Sequence, residues 1–192
     1  MLKRALIVLT ATLLATMPAF AHLDPAEHGS FAAGFSHPLF GLDHILAMVA
    51  VGLWAALQGG RAIWIVPSAF VGTMAIGFAA AIAGVPLPFV EPVILASVIF
   101  IGIGIALALP IPTTAVAAMV GFFAFFHGHA HGGELGEAGA WQFAIGFILA
   151  TAVLHGAGIV GGLVLSKFGG KVLTRLAGAA TALGGVWLAI GG

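Results

Sequence analysis

Phe89-Val90-Glu91-Pro92-Val93-Ile94-Leu95-Ala96-Ser97-Val98-Ile99-Phe100-Ile101-Gly102-Ile103-Gly104-Ile105-Ala106-Leu107-Ala108-Leu109 carries one ionisable side chain, near its start. A helix rises about 1.5 Å per residue and about 20 apolar residues cross the hydrocarbon core of a bilayer, so this segment is long enough to span. Five further stretches have the same character, at about 38–58, 62–83, 115–133, 140–166 and 172–191. They are separated by turn formers: Gly59-Gly60-Arg61, Gly84-Val85-Pro86-Leu87-Pro88, Pro110-Ile111-Pro112, the Gly/Glu segment 132–139, and Lys167 to Lys171. The expectation is an all-α polytopic membrane protein of six transmembrane helices, with no loop long enough for a separate soluble domain.

Composition supports that class. Of 192 residues, 61% are hydrophobic and 6% charged, and mean hydropathy is +1.21; a soluble domain carries about 25% charged residues. The 29 glycines suit close helix packing in lipid, as in Gly158-x-x-x-Gly162 and Ala180-x-x-x-Gly184. A net charge of zero argues against nucleic acid, and the absence of a long Lys/Arg cluster argues against a polybasic lipid-surface role. With no cysteine, a metal must be held by imidazole, carboxylate, thioether, backbone or water. No G-x-x-x-x-G-K-[ST] pattern occurs, so no nucleotide is expected as a partner and movement of a solute is passive or gradient-coupled.

Residues 1–21 read as a signal peptide. Lys3 and Arg4 form the positive n-region, Ala5 to Ala15 the apolar h-region, and Ala19-Phe20-Ala21 the cleavage site. About eleven apolar residues are too few for an uncleaved span. The remaining domain, 22–192, would begin outside. Arg61, Lys167, Lys171 and Arg175 fall on the side opposite to that N-terminus, which is the inside by the basic-residue rule. The two arguments agree on a bacterial inner (plasma) membrane protein, multi-pass, with both termini periplasmic.

The candidate chemistry lies in the outer half. His37-Pro38-Leu39-Phe40-Gly41-Leu42-Asp43-His44 opens the first span, and with helical spacing His37, Gly41, His44 and Met48 are expected on one stripe. The fourth span ends in Phe126-His127-Gly128-His129-Ala130-His131-Gly132-Gly133-Glu134, where His127, His131 and Glu134 align. Ionisable groups in a span cost about 2.5–3.5 kcal/mol each. One such histidine is more often an interhelical hydrogen bond; two His/acid groups at one level point to a metal or proton path, with Asp43 or Glu134 ligating or orienting an imidazole. His155, mid-span, is read equally as an inner ligand or a packing contact. Met48 is read mainly as filler with an available thioether, and Glu91 as a helix N-terminal acid or an entrance charge. Cleavage would give His22 a free α-amine beside its imidazole, near Asp24, Glu27 and His28, a chelate suited to Ni(II) or Cu(II) if the tail is not merely polar.

Those two motifs, with Met48 and Trp54, resemble the signature pair of the HupE/UreJ family of nickel permeases, across the whole of 22–192. The resemblance implies His37, Asp43 and His44 in the first span and His127, His131 and Glu134 in the fourth as site residues, with His129 outside the matched pattern. His129, unmatched in the pattern, remains a further candidate metal ligand by its place among the fourth-span histidines. The resemblance also implies a non-enzymatic role, nickel uptake for hydrogenase or urease assembly, with cobalt as the alternative cargo. No prosthetic group is expected, Ni(II) being the transported ion. Two other classes fit His/acid clusters: an intramembrane zinc enzyme, although no His-Glu-x-x-His is present, and a metal or pH sensor. The two three-span halves enter the membrane in opposite senses, as in inverted-repeat transporters, although their sequences are too dissimilar to establish a 3+3 repeat. Such a repeat is expected to put both motifs at equivalent places.

The intact mass of protein taken from its native membrane is expected to begin at His22. Retention of Met1 would remove both the cleavage and the N-terminal chelate.

Overall fold

The computed structural model describes residues 31–135 and 139–191. The signal peptide and the tail bearing His22, Asp24, Glu27 and His28 lie outside the described residues. Among the described residues every regular element is helical: α1 (Phe31–Phe40), α2 (Leu42–Gln58), α3 (Ala62–Ile82), α4 (Val90–Leu107), α5 (Thr113–Glu134) and α6 (Ala140–Ala189).

The expected first span is not one helix. The helix starts at Phe31 and stops at Phe40, and α2 leaves at 84° to α1. Pro38 inside α1 has no N–H for the ladder, and Gly41 takes an extended conformation (φ −85°, ψ 116°) that ends one helix and starts the next. His37 therefore does not share a helical stripe with His44 and Met48; the bend brings it to His44 from another direction.

α6 departs from expectation in the opposite way, since two expected spans form one continuous element. Fifty residues of straight helix would extend about 75 Å, more than twice a hydrocarbon core of about 30 Å. Gly170, at φ 60°, ψ −163°, breaks it, and only glycine adopts that conformation readily. Ser166 Oγ and Thr174 Oγ1 are 3.4 Å apart, whereas eight residues along a straight helix rise about 12 Å. The limbs 140–169 and 171–189 thus double back on each other. Four helices are long and apolar enough to span, five with the bent α1–α2 pair; division of α6 at Gly170 makes six. The chain is a polytopic membrane protein, and its outward surface of Trp64, Ile76, Phe100, Ile145 and Leu183 presents apolar side chains to lipid.

Glycine sets how the spans meet. A Cβ on Gly128 would strike Met74 O and Phe78 N, and one on Gly77 would strike Phe125 O, so α3 and α5 lie backbone to backbone. Gly52 and Gly158 do the same for α2 and the first limb of α6, and Gly102 and Gly178 for α4 and the second limb. Gly162 meets Ala56, as the Gly158 and Gly162 spacing suggests, but on the second limb Gly178 and Gly185 make the close approach while Ala180 is exposed. The core at the centre is Met48, Trp54, Phe70, Met74 and Phe147, all essentially inaccessible.

The two ends of the bundle differ. Gln58 Nε2 donates to Ile111 O and Arg175 Nε to Ala106 O, which gathers the C-terminal ends of α2 and α4 and the bend of α6 with Lys167, Lys171 and Arg175. Arg61 lies three residues beyond Gln58. The motif histidines at the start of α2 and the end of α5 occupy the other end.

Gly128→Leu is expected to lower the melting temperature of the detergent-solubilised protein or abolish its accumulation, because forcing side-chain atoms into a packed backbone contact costs about 1–3 kcal/mol or more. Gly72→Ala on α3, where an added Cβ meets nothing within 4 Å, is the control expected to leave both unchanged.

Candidate metal centre

His127 and His131 are one helical turn apart on α5 and face the bundle interior, while Gly128 and Gly132, one position on, face α3. The alternation in the motif thus has two functions: imidazoles inward, and bare backbone against the neighbouring helix. On the other side, Gly41 clears the space for the Asp43–His44 pair. A Cβ there would lie 2.6 Å from His44 Nδ1 and 2.9 Å from Asp43 Oδ1, closer than side-chain carbons approach.

His44 Nδ1 lies 2.9 Å from Asp43 Oδ1. An ionised carboxylate only accepts, so Nδ1 carries the proton and donates, and in the neutral ring Nε2 has the lone pair. That Nε2 lies 2.6 Å from His131 Nε2, across 87 residues of sequence, so His131 Nε2–H donates to it. His37 completes the group: one ligand atom from each of His37, His44 and His131 lies within 4.8 Å of the others. The His37 ring sits 4.5 Å from that of His131, centre to centre, and 5.9 Å edge-on from that of His44. Phe143 and Phe147 close the side formed by α6.

His127 is the fourth imidazole. Its Nδ1 donates to Phe123 O at 3.0 Å, which leaves the lone pair on Nε2. No hydrogen-bond partner meets that fully buried Nε2 among the described residues, and the ring lies 5.6 Å from that of His44. A buried polar atom left unpaired costs about 1–3 kcal/mol.

Nitrogen donors about 2.0–2.1 Å from a cation lie roughly 3–4 Å from each other. Three imidazole nitrogens within 4.8 Å could therefore close on one ion with small rotations; the His44–His131 hydrogen bond would open, and the His131 proton would pass from Nε2 to Nδ1 to leave a lone pair for the cation. Nitrogen donors with one orienting carboxylate suit Ni, Co, Cu or Zn and not Mg or Ca, which take oxygen.

Of the residues singled out in the sequence, the structure brings together His37, Asp43, His44, His127 and His131. His129 is not among them: its Nε2 donates to Val85 O at 2.7 Å in the α3–α4 connection, because two residues from His127 lies on another face of the helix. Met48 is packed in the apolar core a turn below His44. Glu134 ends α5, and its side chain lies outside the described atoms. Glu91 is exposed in the first turn of α4. His155 is buried elsewhere, its ring edge-on to Phe70 with centroids 4.9 Å apart.

Nothing in the sequence singles out Phe70, Phe143 or Phe147, because one phenylalanine among fifteen carries no mark of its place; Gly41, inside the motif, was findable. A cavity of about 650 Å³ opens between α3 and the start of α6. Its walls are mostly apolar, with Met74, Phe78, Trp141 and Phe147, so it is not where a cation would sit; Phe147 separates it from the imidazoles.

Comparison with known proteins places the chain in a family. The family described as HupE / UreJ protein matches residues 10–188. Protein HupE of Rhizobium leguminosarum bv. viciae is 47% identical over 188 residues, covering 95% of this chain and 97% of the relative. No solved structure matches. With a match along nearly its whole length and the paired His motifs in place, the chain belongs to the HupE/UreJ family.

Proposed function

We propose that the chain is a secondary permease that carries a divalent transition metal, Ni(II) before Co(II), inward across the bacterial inner membrane to supply hydrogenase or urease assembly. The observation that carries this reading is the meeting of His37, His44 and His131 donor atoms within 4.8 Å inside a polytopic bundle. Imidazoles in a span are costly, and three converging ones are a ligand set for a cation that would otherwise meet only hydrocarbon. Cobalt would use the same donors.

Orientation is supported by the gathering of Lys167, Lys171 and Arg175 at the end away from the imidazoles. With that end cytoplasmic, the cluster faces the periplasm and both termini of the mature chain are periplasmic. An intramembrane zinc enzyme is less well supported. Such an enzyme needs a base beside an open water position, and Asp43, the carboxylate at the cluster among the described residues, is already engaged by His44 Nδ1.

The helix pairing supports a 3+3 inverted repeat. α3 packs on α5, α2 on the first limb of α6, and α4 on the second limb; exchange of the two three-span halves converts the first pair into the second and returns the third to itself. The same exchange would carry the outer end of the first span onto the inner end of the fourth. The repeat therefore does not make the two motifs equivalent, against the expectation from sequence; they meet because both lie at one end.

Purified protein in sealed vesicles is expected to accumulate labelled nickel without nucleotide, which neither an enzyme nor a sensor would do. In that assay Asp43→Asn, which keeps size but loses the charge orienting His44, should lower uptake about 10–100-fold, whereas His129→Gln, able to keep the bond to Val85 O, should transport as wild type. Equal uptake by Asp43→Asn at equal protein would remove Asp43 from the site.

A further inference from the structure

His155 is a buried imidazole that the outer cluster leaves unused. It is 1% exposed, and neither ring nitrogen has a hydrogen-bond partner among the described residues. Its backbone carbonyl packs against Gly52, eight residues along α2 from His44, which places it about 12 Å deeper by helical rise.

One side chain stands between it and the outer group. Phe70 is inaccessible to solvent, and its ring touches both His155, at 4.9 Å between centroids, and His127, at 5.6 Å. His127 has Nδ1 held by Phe123 O and Nε2 without a partner. Three unpartnered imidazole nitrogens thus flank a single phenyl ring. One turn outward from His155 and from Phe70, Thr151 Oγ1 donates to Met74 Sδ at 3.8 Å, so polar and soft atoms continue along the same face.

A packing role does not account for this arrangement. A histidine that only fills space would lose nothing by having a hydrocarbon of equal volume in its place, whereas two bare nitrogens away from water carry a standing penalty. A residue retained against such a penalty needs a ligand that the nitrogens meet at another moment, and a cation leaving the outer cluster needs a donor before it reaches the far end.

Resting on the permease reading, we infer that His155 and His127 form a second, deeper station for the transition-metal ion, with the Phe70 ring as the barrier between their two sides. The ion exchanges ligands from the outer trio to His127, and the turning of Phe70 opens the way to His155.

The test uses the full chain and Ni(II) alone as probe, with His155→Leu, which nearly conserves volume, and His155→Gln. Three quantities are measured together: equilibrium binding in detergent, accumulation of labelled nickel in sealed vesicles, and melting temperature. Both variants are expected to bind with wild-type affinity at the outer cluster and to transport at least tenfold more slowly, while His155→Leu melts at or above the wild-type temperature. Transport within twofold of wild type overturns the inner station. So does His155→Leu that fails to accumulate or melts well below wild type, which would make His155 a packing residue, and so does loss of outer binding, which would merge the two sites into one. Wild-type protein that binds nickel without accumulating it refutes the permease reading itself, an outcome separate from all of these.

Discussion

The contact between His44 Nε2 and His131 Nε2, 2.6 Å across 87 residues, is the point at which the arrangement of the bundle becomes chemistry. It requires α2 to begin where α5 ends. That in turn requires the bend at Gly41, the close backbone approach of α3 and α5 at Gly77 and Gly128, and that of α2 and α6 at Gly52 and Gly158. In lipid no apolar driving force favours one helix neighbour over another, so contact through small residues and a few interhelical polar bonds decides who packs with whom. The same glycines that fix the fold therefore set the distance between the imidazoles.

On the permease reading, the electrostatic problem is that a divalent ion must leave water. The group provides uncharged nitrogen lone pairs, oriented by one carboxylate through His44 Nδ1 and by one main-chain carbonyl through His127 Nδ1. This second layer of hydrogen bonds selects the tautomer, so that the lone pair of both rings lies on Nε2. On the permease reading, few fixed charges would also leave the ion bound weakly enough to go on, which a tight cage of carboxylates would prevent.

Much of this was legible in the sequence, for physical reasons. Span length and the scarcity of charge mark membrane helices directly, and ionisable residues in such segments stand out against an apolar background, so Asp43, His44, His127 and His131 were findable. What failed depended on where helices break. Seven residues make two turns of a straight helix, which would put His37 on the stripe of His44, but Pro38 and Gly41 end that helix, and the contact is made around a corner of 84°. Lys167 to Lys171 has the composition of a five-residue loop, whereas one glycine at positive φ, Gly170, suffices for the turn. His129, two residues from each of His127 and His131, lies on another face of the helix, which turns it to Val85 O. Phe70 and Phe147 were invisible, since their importance arises from neighbours contributed by other spans.

The central claim is that imidazoles of α1, α2 and α5 hold one transition-metal ion together. Nickel K-edge X-ray absorption of the purified protein with one equivalent of Ni(II) tests it most directly. The account predicts at least three nitrogen ligands at about 2.0–2.1 Å with the outer-shell scattering of imidazole rings, reduced by one imidazole in each of His37→Ala, His44→Ala and His131→Ala. A first shell of oxygens without imidazole scattering, or a spectrum unchanged in the three variants, would contradict it.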